Sequence, residues 1–84
     1  MKKYVYINKM QCGEVSCKLV SSLKEAQALV DDYIDMINEE IMIEEQIDEV
    51  RYLNIDLEDY FDKSDNYNTV TLDDGSIIEF IKID

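Results

Sequence analysis

Between Leu23 and Ile41 the apolar residues return every three or four positions, at Leu23, Ala26, Val30, Tyr33, Ile34, Ile37 and Ile41. At about 100° per residue they share one face of an α-helix, and Glu25, Asp31, Asp32, Asp35 and Glu39 fall on the other side. A helix with such a stripe has to bury it, and the flanking segments supply the cover. Residues 4–10 and 14–20 are rich in β-branched and aromatic side chains. Val15, Cys17 and Leu19 alternate there with Glu14, Ser16 and Lys18, so the pair reads as a hairpin around Cys12-Gly13. With 84 residues the chain supports one modest core. The expected fold is therefore a single α+β domain: N- and C-terminal antiparallel hairpins form one sheet against a central amphipathic helix.

The helix start is marked by Ser22-Leu23-Lys24-Glu25, a capping box in which serine and glutamate satisfy free amides of the first turn. Its end is less plain. Ile43, Ile47 and Val50 repeat at i, i+4 and i+7, yet on a continuous helix they point away from Val30, Ile34 and Ile37. This phase change predicts a break near residues 38–41 and a second short helix. One straight helix would instead need a partner chain over the second stripe. Downstream, Leu53, Ile55 and Leu57 alternate with Asn54 and Asp56, which predicts a short strand or extended segment. Asp56 can then cap one helical turn through Tyr60 and Phe61, and residues 63–68 read as polar loop.

The register of the C-terminal hairpin follows from its pattern. A two-residue Asp74-Gly75 turn would put Glu79 on the face of Val70 and Leu72. A three-residue Asp73-Asp74-Gly75 loop with a left-handed glycine aligns Val70 and Leu72 with Ile78 and Phe80, turning Thr69, Thr71 and Glu79 outward. Ile77, Ile81 and Ile83 then share that outer face, which is too apolar for plain solvent; a helix or another chain should cover it.

An apolar fraction of 46% supports folding despite a net charge of −12. The charge is uneven: five lysines face one acid through residue 24, and three cations face 19 acids after it. Such a body repels nucleic acid and anionic membrane, so neither is an expected direct partner, and a basic protein surface is. No apolar run approaches the roughly 20 residues that span a bilayer, and the N-terminus lacks a signal-peptide core. A cytoplasmic location is expected.

The residue inventory argues against catalysis. There is no histidine, hence no common general base or nucleophile partner, and no phosphate-binding glycine loop or serine elbow. With 20 acids, carboxylate pairs arise by chance. Cys12 and Cys17 lack the further ligands of a zinc site and are expected to be buried or idle thiols. Residues 62–73 hold oxygen ligands at some calcium-loop spacings, but Tyr67 stands where the loop needs glycine. Neither metal nor cofactor is expected. The six tyrosines lack the basic groove that stacking on nucleobases requires.

The acids themselves are the remaining signal. From Asn38 to Glu49 there are six acids and no cation. Like charges at i, i+3 and i+4, as in Asp32, Asp35, Glu39 and Glu40, cost a few tenths of a kcal/mol each. Carboxylates on adjacent turns stand about 5–6 Å apart, near the spacing of phosphates along a strand. A rigid row of them can occupy a channel lined with lysine and arginine. In size and charge the chain resembles phage and mobile-element inhibitors of host defence, such as anti-CRISPR and anti-restriction proteins that imitate nucleic acid. The resemblance implies a mode of action and transfers no residues.

The expected function is non-enzymatic inhibition, with Asp31, Asp32, Asp35, Glu39, Glu40, Glu44, Glu45, Asp48 and Glu49 binding the basic channel of a nucleic-acid enzyme. Ile43, Ile47 and Tyr52 would serve as apolar anchors. The alternative expectation is a small interaction module, homodimeric through Ile77, Ile81 and Ile83, whose acidity confers only solubility. A calcium-responsive module is the third.

Overall fold

The computed structural model describes residues 3–62 and 64–83, so Lys2 of the basic head and Lys63 of the polar loop lie outside the described residues. The chain runs β1 (Tyr4–Lys9), β2 (Val15–Val20), α1 (Leu23–Glu45), a 3-10 turn (Leu57–Asp59), β3 (Tyr67–Thr71) and β4 (Ile77–Lys82). Its strands form one antiparallel sheet in the order β2-β1-β4-β3. The N- and C-terminal strands are thus central neighbours, with Tyr6 opposite Phe80 and Asn8 opposite Ile78. The fold is α+β, and both hairpins contribute to the one sheet.

The two turns form where glycine permits. Gly13 has φ +100° and Gly75 φ +92°, a region open to glycine without steric penalty. Leu72 N–H donates to Ser76 O at 2.7 Å and Val70 faces Ile78. This is the three-residue loop that the hydrophobic pattern demands. Thr69 and Thr71 are exposed, as that register requires, while Val70, Leu72, Ile78 and Phe80 are buried. Glu79 also points away from the helix, but it is only 8% exposed. Its cross-strand neighbours Ile7 and Thr69 crowd it, and Lys9 Nζ meets its carboxylate at 2.6 Å.

Ser22 caps α1 by accepting from Glu25 N–H at 3.3 Å, and the Glu25 carboxylate reaches one residue further back, accepting from Ser21 N–H at 2.8 Å. From there the middle of the expected stripe is buried, with Ala26, Val30, Tyr33 and Ile34 in one core with Tyr6, Val20, Ile78 and Phe80 and with Leu57 and Phe61, while Leu23, Ile37 and Ile41 are half-buried. Phe80 stacks between Tyr4 and Phe61, at ring separations of 4.5 and 5.8 Å. Burying each of these large side chains stabilises by about 1.5–3 kcal/mol before entropy is counted.

The expected break at residues 38–41 and the second short helix are absent: α1 continues to Glu45. Residues 38–45 contain no glycine or proline, and breaking the backbone ladder there would have no compensation. The phase change has another origin. A helix of 23 residues is about 34 Å long, whereas six-residue strands reach about 20 Å. The last turns of α1 therefore overhang the sheet. The helix stops at Gln46, which is left-handed at φ 55°, with the Gln46 and Ile47 amides both donating to Met42 O.

Residues 47–56 form no strand, correcting one reading of the Leu53-Ile55-Leu57 alternation. Asp56 does cap the helical turn after it, accepting from Glu58 N–H at 3.0 Å. What holds the long crossover is a set of side-chain amides. Asn38 accepts from Tyr52 N–H and donates to Tyr52 O, both at 2.8 Å. Gln27 accepts from Leu57 N–H and donates to Ile55 O, both at 2.7 Å. Asn68 accepts from Asp62 N–H at 3.0 Å and donates to Asp62 O at 2.9 Å. Each amide acts as a short piece of strand, satisfying backbone groups that otherwise have no ladder.

Candidate functional site

The overhang creates the site. Asp32, Asp35 and Glu39 lie within an arc of roughly 60° on the side of α1 opposite the core, all exposed. Asp32 and Glu39 are two turns apart, about 10 Å along the axis. No cation lies within salt-bridge distance of these three, or of Glu40 and Glu44, among the described residues. The body of the row is thus a fixed, unneutralised line of carboxylates.

The other expected acids are distributed differently. Asp31 is half-buried and accepts from the Gln27 amide at 2.9 Å, so it supports the Gln27 clamp. Glu40 and Glu44 are exposed on another flank of the overhang, about 80–120° from the row. Glu45 pairs with Arg51. Asp48 and Glu49 follow the helix end and are exposed in the crossover. The structure brings Asp32, Asp35 and Glu39 together as one face and leaves the rest as a negative surround.

At its C-terminal end the row runs into an apolar groove of about 610 Å³ between the overhang and the crossover. Met42, Ile43, Val50, Tyr52 and Leu53 line it, with Asp35 and Glu39 on the rim. Ile43 is 71% exposed and Leu53 78%, more than isolated surface residues of this size need to be. Of the three expected anchors, Ile43 is open to solvent; Ile47 and Tyr52 are half-buried, and Tyr52 is held in place by Asn38. Val50 and Leu53 are further exposed residues of the groove, not expected there because the pattern placed Val50 in a helix and Leu53 in a strand. The out-of-phase stripe was the signal for Val50 alone.

A second polar cluster sits at the β3–β4 turn. Tyr33 Oη lies 2.6 Å from Asp74 Oδ2 and 2.5 Å from Ser76 Oγ, and Ser76 donates both its N–H and its hydroxyl to the same carboxylate. Burial first, then the Asp74 bond, pushes the Tyr33 phenol up to about 12. Ser76 is fully buried, so this cluster fastens the turn to α1. Asp62 takes part in a local turn, accepting from Ser64 N–H and Oγ at 2.9 and 2.7 Å, which holds its carboxyl below the usual range. β3 begins at Tyr67, where a calcium loop would continue. No group of three or more potential metal ligands converges among the described residues. Cys12 and Cys17 are free and exposed, not buried.

Among the described residues no helix is long and apolar enough to cross a membrane. No family model matches the chain, and no curated protein or solved structure matches it significantly.

Proposed function

We propose that this protein is a non-enzymatic binder of a basic protein surface, and that the acidic row of α1 lies along a channel that otherwise receives nucleic acid. The observation that carries this reading is the continuity of α1 through residues 38–45. Charges on a frayed tail would lose side-chain and backbone entropy on binding; charges on a continuous helix arrive already spaced. Lysines and arginines set out for phosphates can then form charge-assisted hydrogen bonds with Asp32, Asp35 and Glu39. Electrostatics of this kind speeds association more than it slows release. The adjoining groove supplies what charge lacks, since Ile43, Val50 and Leu53 offer apolar contact beside the row.

The target class that fits is a nucleic-acid-binding enzyme, and inhibitors of the anti-CRISPR and anti-restriction kind share this size and charge. On this reading the protein acts in the cytoplasm, that of the bacterial host if a phage encodes it. The alternative, a self-associating module, draws its support from a different surface, the open face of the sheet.

The test is the triple variant Asp32→Lys, Asp35→Lys, Glu39→Lys. All three positions are exposed, so the far-ultraviolet circular dichroism should match the parent. Capture of a nucleic-acid enzyme from bacterial lysate should be lost, and the parent's captured partner should be released both by about 0.5 M salt and by excess DNA or RNA. A triple variant that captures the same protein as well as the parent does would sink the reading.

A further inference from the structure

We propose that the sheet face turned away from α1 binds a second copy of this chain, giving a two-fold dimer in which two sheets stack between two outer helices. Strand register assembles this face. Leu19, Val5, Ile81 and Tyr67 form one row across all four strands, and Val15 and Ile77 flank Lys9 in another. The edge-strand members are open to solvent, with Val15 62% exposed and Leu19 55%. A solvated antiparallel sheet face ordinarily alternates polar-out, and this one does not.

Charge selects a second copy as the occupant. The chain carries −12 overall, but on the strand positions from β1 to β4 that face away from α1 the only charges are Lys9 and Glu79, which pair at 2.6 Å. This face is neutral where the rest of the molecule is acidic. Two copies meeting here would hold their sheets about 10 Å apart, with each helix roughly a further 10 Å out. The acidic rows would be separated by about 30 Å, several Debye lengths at physiological salt. An approach through the exposed face of α1 would instead bring two rows of like charge together. A paired Lys and Glu on each copy is also self-complementary under a two-fold axis, so the same patch serves both partners.

The area is sufficient. Four strands about 4.8 Å apart and six residues of about 3.3 Å give a footprint of roughly 400 Å² per copy, hence on the order of 1,000 Å² from both once side-chain relief is included. That meets the lower bound for a specific interface. The monomer's accessible surface of 5691 Å² also exceeds the roughly 5,200 Å² of a compact protein of this mass.

Cysteine reactivity and equilibrium sedimentation of the intact protein test this together. Cys17 lies on the open face opposite Ile7, whereas Cys12 sits in the β1–β2 turn; both are exposed in the monomer. From about 1 μM to 1 mM the protein should pass from monomer to dimer. Over the same range the alkylation rate of Cys17, read by peptide mass spectrometry, should fall at least tenfold relative to Cys12. Leu19→Glu should remain monomeric throughout. Val15→Glu is the second variant, and circular dichroism establishes that each is folded. Added salt should leave the dimer intact or tighten it, and the triple lysine variant of α1 should still dimerise, which separates this inference from channel binding. A monomer at 1 mM overturns the proposal. So does a dimer that leaves Cys17 as reactive as Cys12, or one that both glutamate variants still form.

Discussion

The two halves of α1 are built from the same residue types and meet opposite fates. Ile34, in the first half, is 2% exposed, and Ile43, nine residues later, is 71% exposed. No break separates them. The first half lies over the sheet, and the second runs past its end, where Ile41 and Met42 are only half-buried and Ile43 is open to solvent. Apolar periodicity identifies a face of a helix, and only the length of the opposing layer says whether that face is buried. A stretch that continues beyond its cover is free to become a binding surface.

The largest effect that can break this comparison comes from equal truncations in the two halves. Ile34→Ala removes packing from the core and should cost about 2–5 kcal/mol. Ile43→Ala should cost less than about 0.5 kcal/mol, while weakening capture of the proposed target. Urea denaturation of both variants gives the answer. Similar losses would mean that the overhang is part of the cooperative core.

Next in size is the join between the halves. Asn38 is 6% exposed and bonds both backbone groups of Tyr52. Asn38→Ala leaves those part-buried groups without a partner and should cost about 1–3 kcal/mol. The amide of Tyr52 should lose hydrogen-exchange protection first, ahead of amides in β1 and β4. If protection falls uniformly, the crossover is fastened by more than this clamp, and the groove it lines is stiffer than the overhang suggests.

The sequence made the strands and the buried half of the helix legible because each is decided locally. The alternation around Val70 and Ile78, the glycine at 75 and the Ser22–Glu25 box all state their own geometry. The end of α1 was misread because its phase change has two physical solutions, a bend or an overhang, and the choice depends on sheet length, a tertiary quantity. The clamps of Gln27, Asn38 and Asn68 went unseen for a related reason. An amide in a helix or strand is unremarkable until the backbone opposite it is known, although Gln27 and Asn38, 11 residues apart, do fall on one side of α1. Of the candidate site, Asp32, Asp35 and Glu39 were readable as a row from spacing alone. Val50 showed only as a member of the out-of-phase stripe, and Leu53 had no signal, because a crossover segment has no period to interpret.

Alkaline pH acts on the covered half through Tyr33. The folded Tyr33 phenol titrates near 12 instead of 10, so the folded state holds its proton more tightly than the unfolded chain does. The stabilisation is fully present below pH 10 and is lost as pH rises from 10 towards 12. Burial raises Tyr6 in the same direction. Thermal unfolding followed at 222 nm should therefore decline steeply above pH 10, and Tyr33→Phe should decline less steeply. An equal slope in both proteins would remove Tyr33 as a cause.

The smallest effect tests how independent the overhang is. Gln46 ends α1 in a left-handed conformation that disfavours any residue with a Cβ, and Gln46→Gly relieves this at the expense of greater freedom in the unfolded chain. The net gain should be about 0.5 kcal/mol, or roughly a twofold rise in a local equilibrium. If the overhang opens separately from the core, that gain appears as about twofold slower exchange of the Gln46 and Ile47 amides, with Tm moving by less than about 1 °C. A Tm rise of several degrees would show that the last turns unfold only with the whole molecule. The acidic row and its groove would then be as rigid as the core, and the contrast between the halves would concern exposure alone.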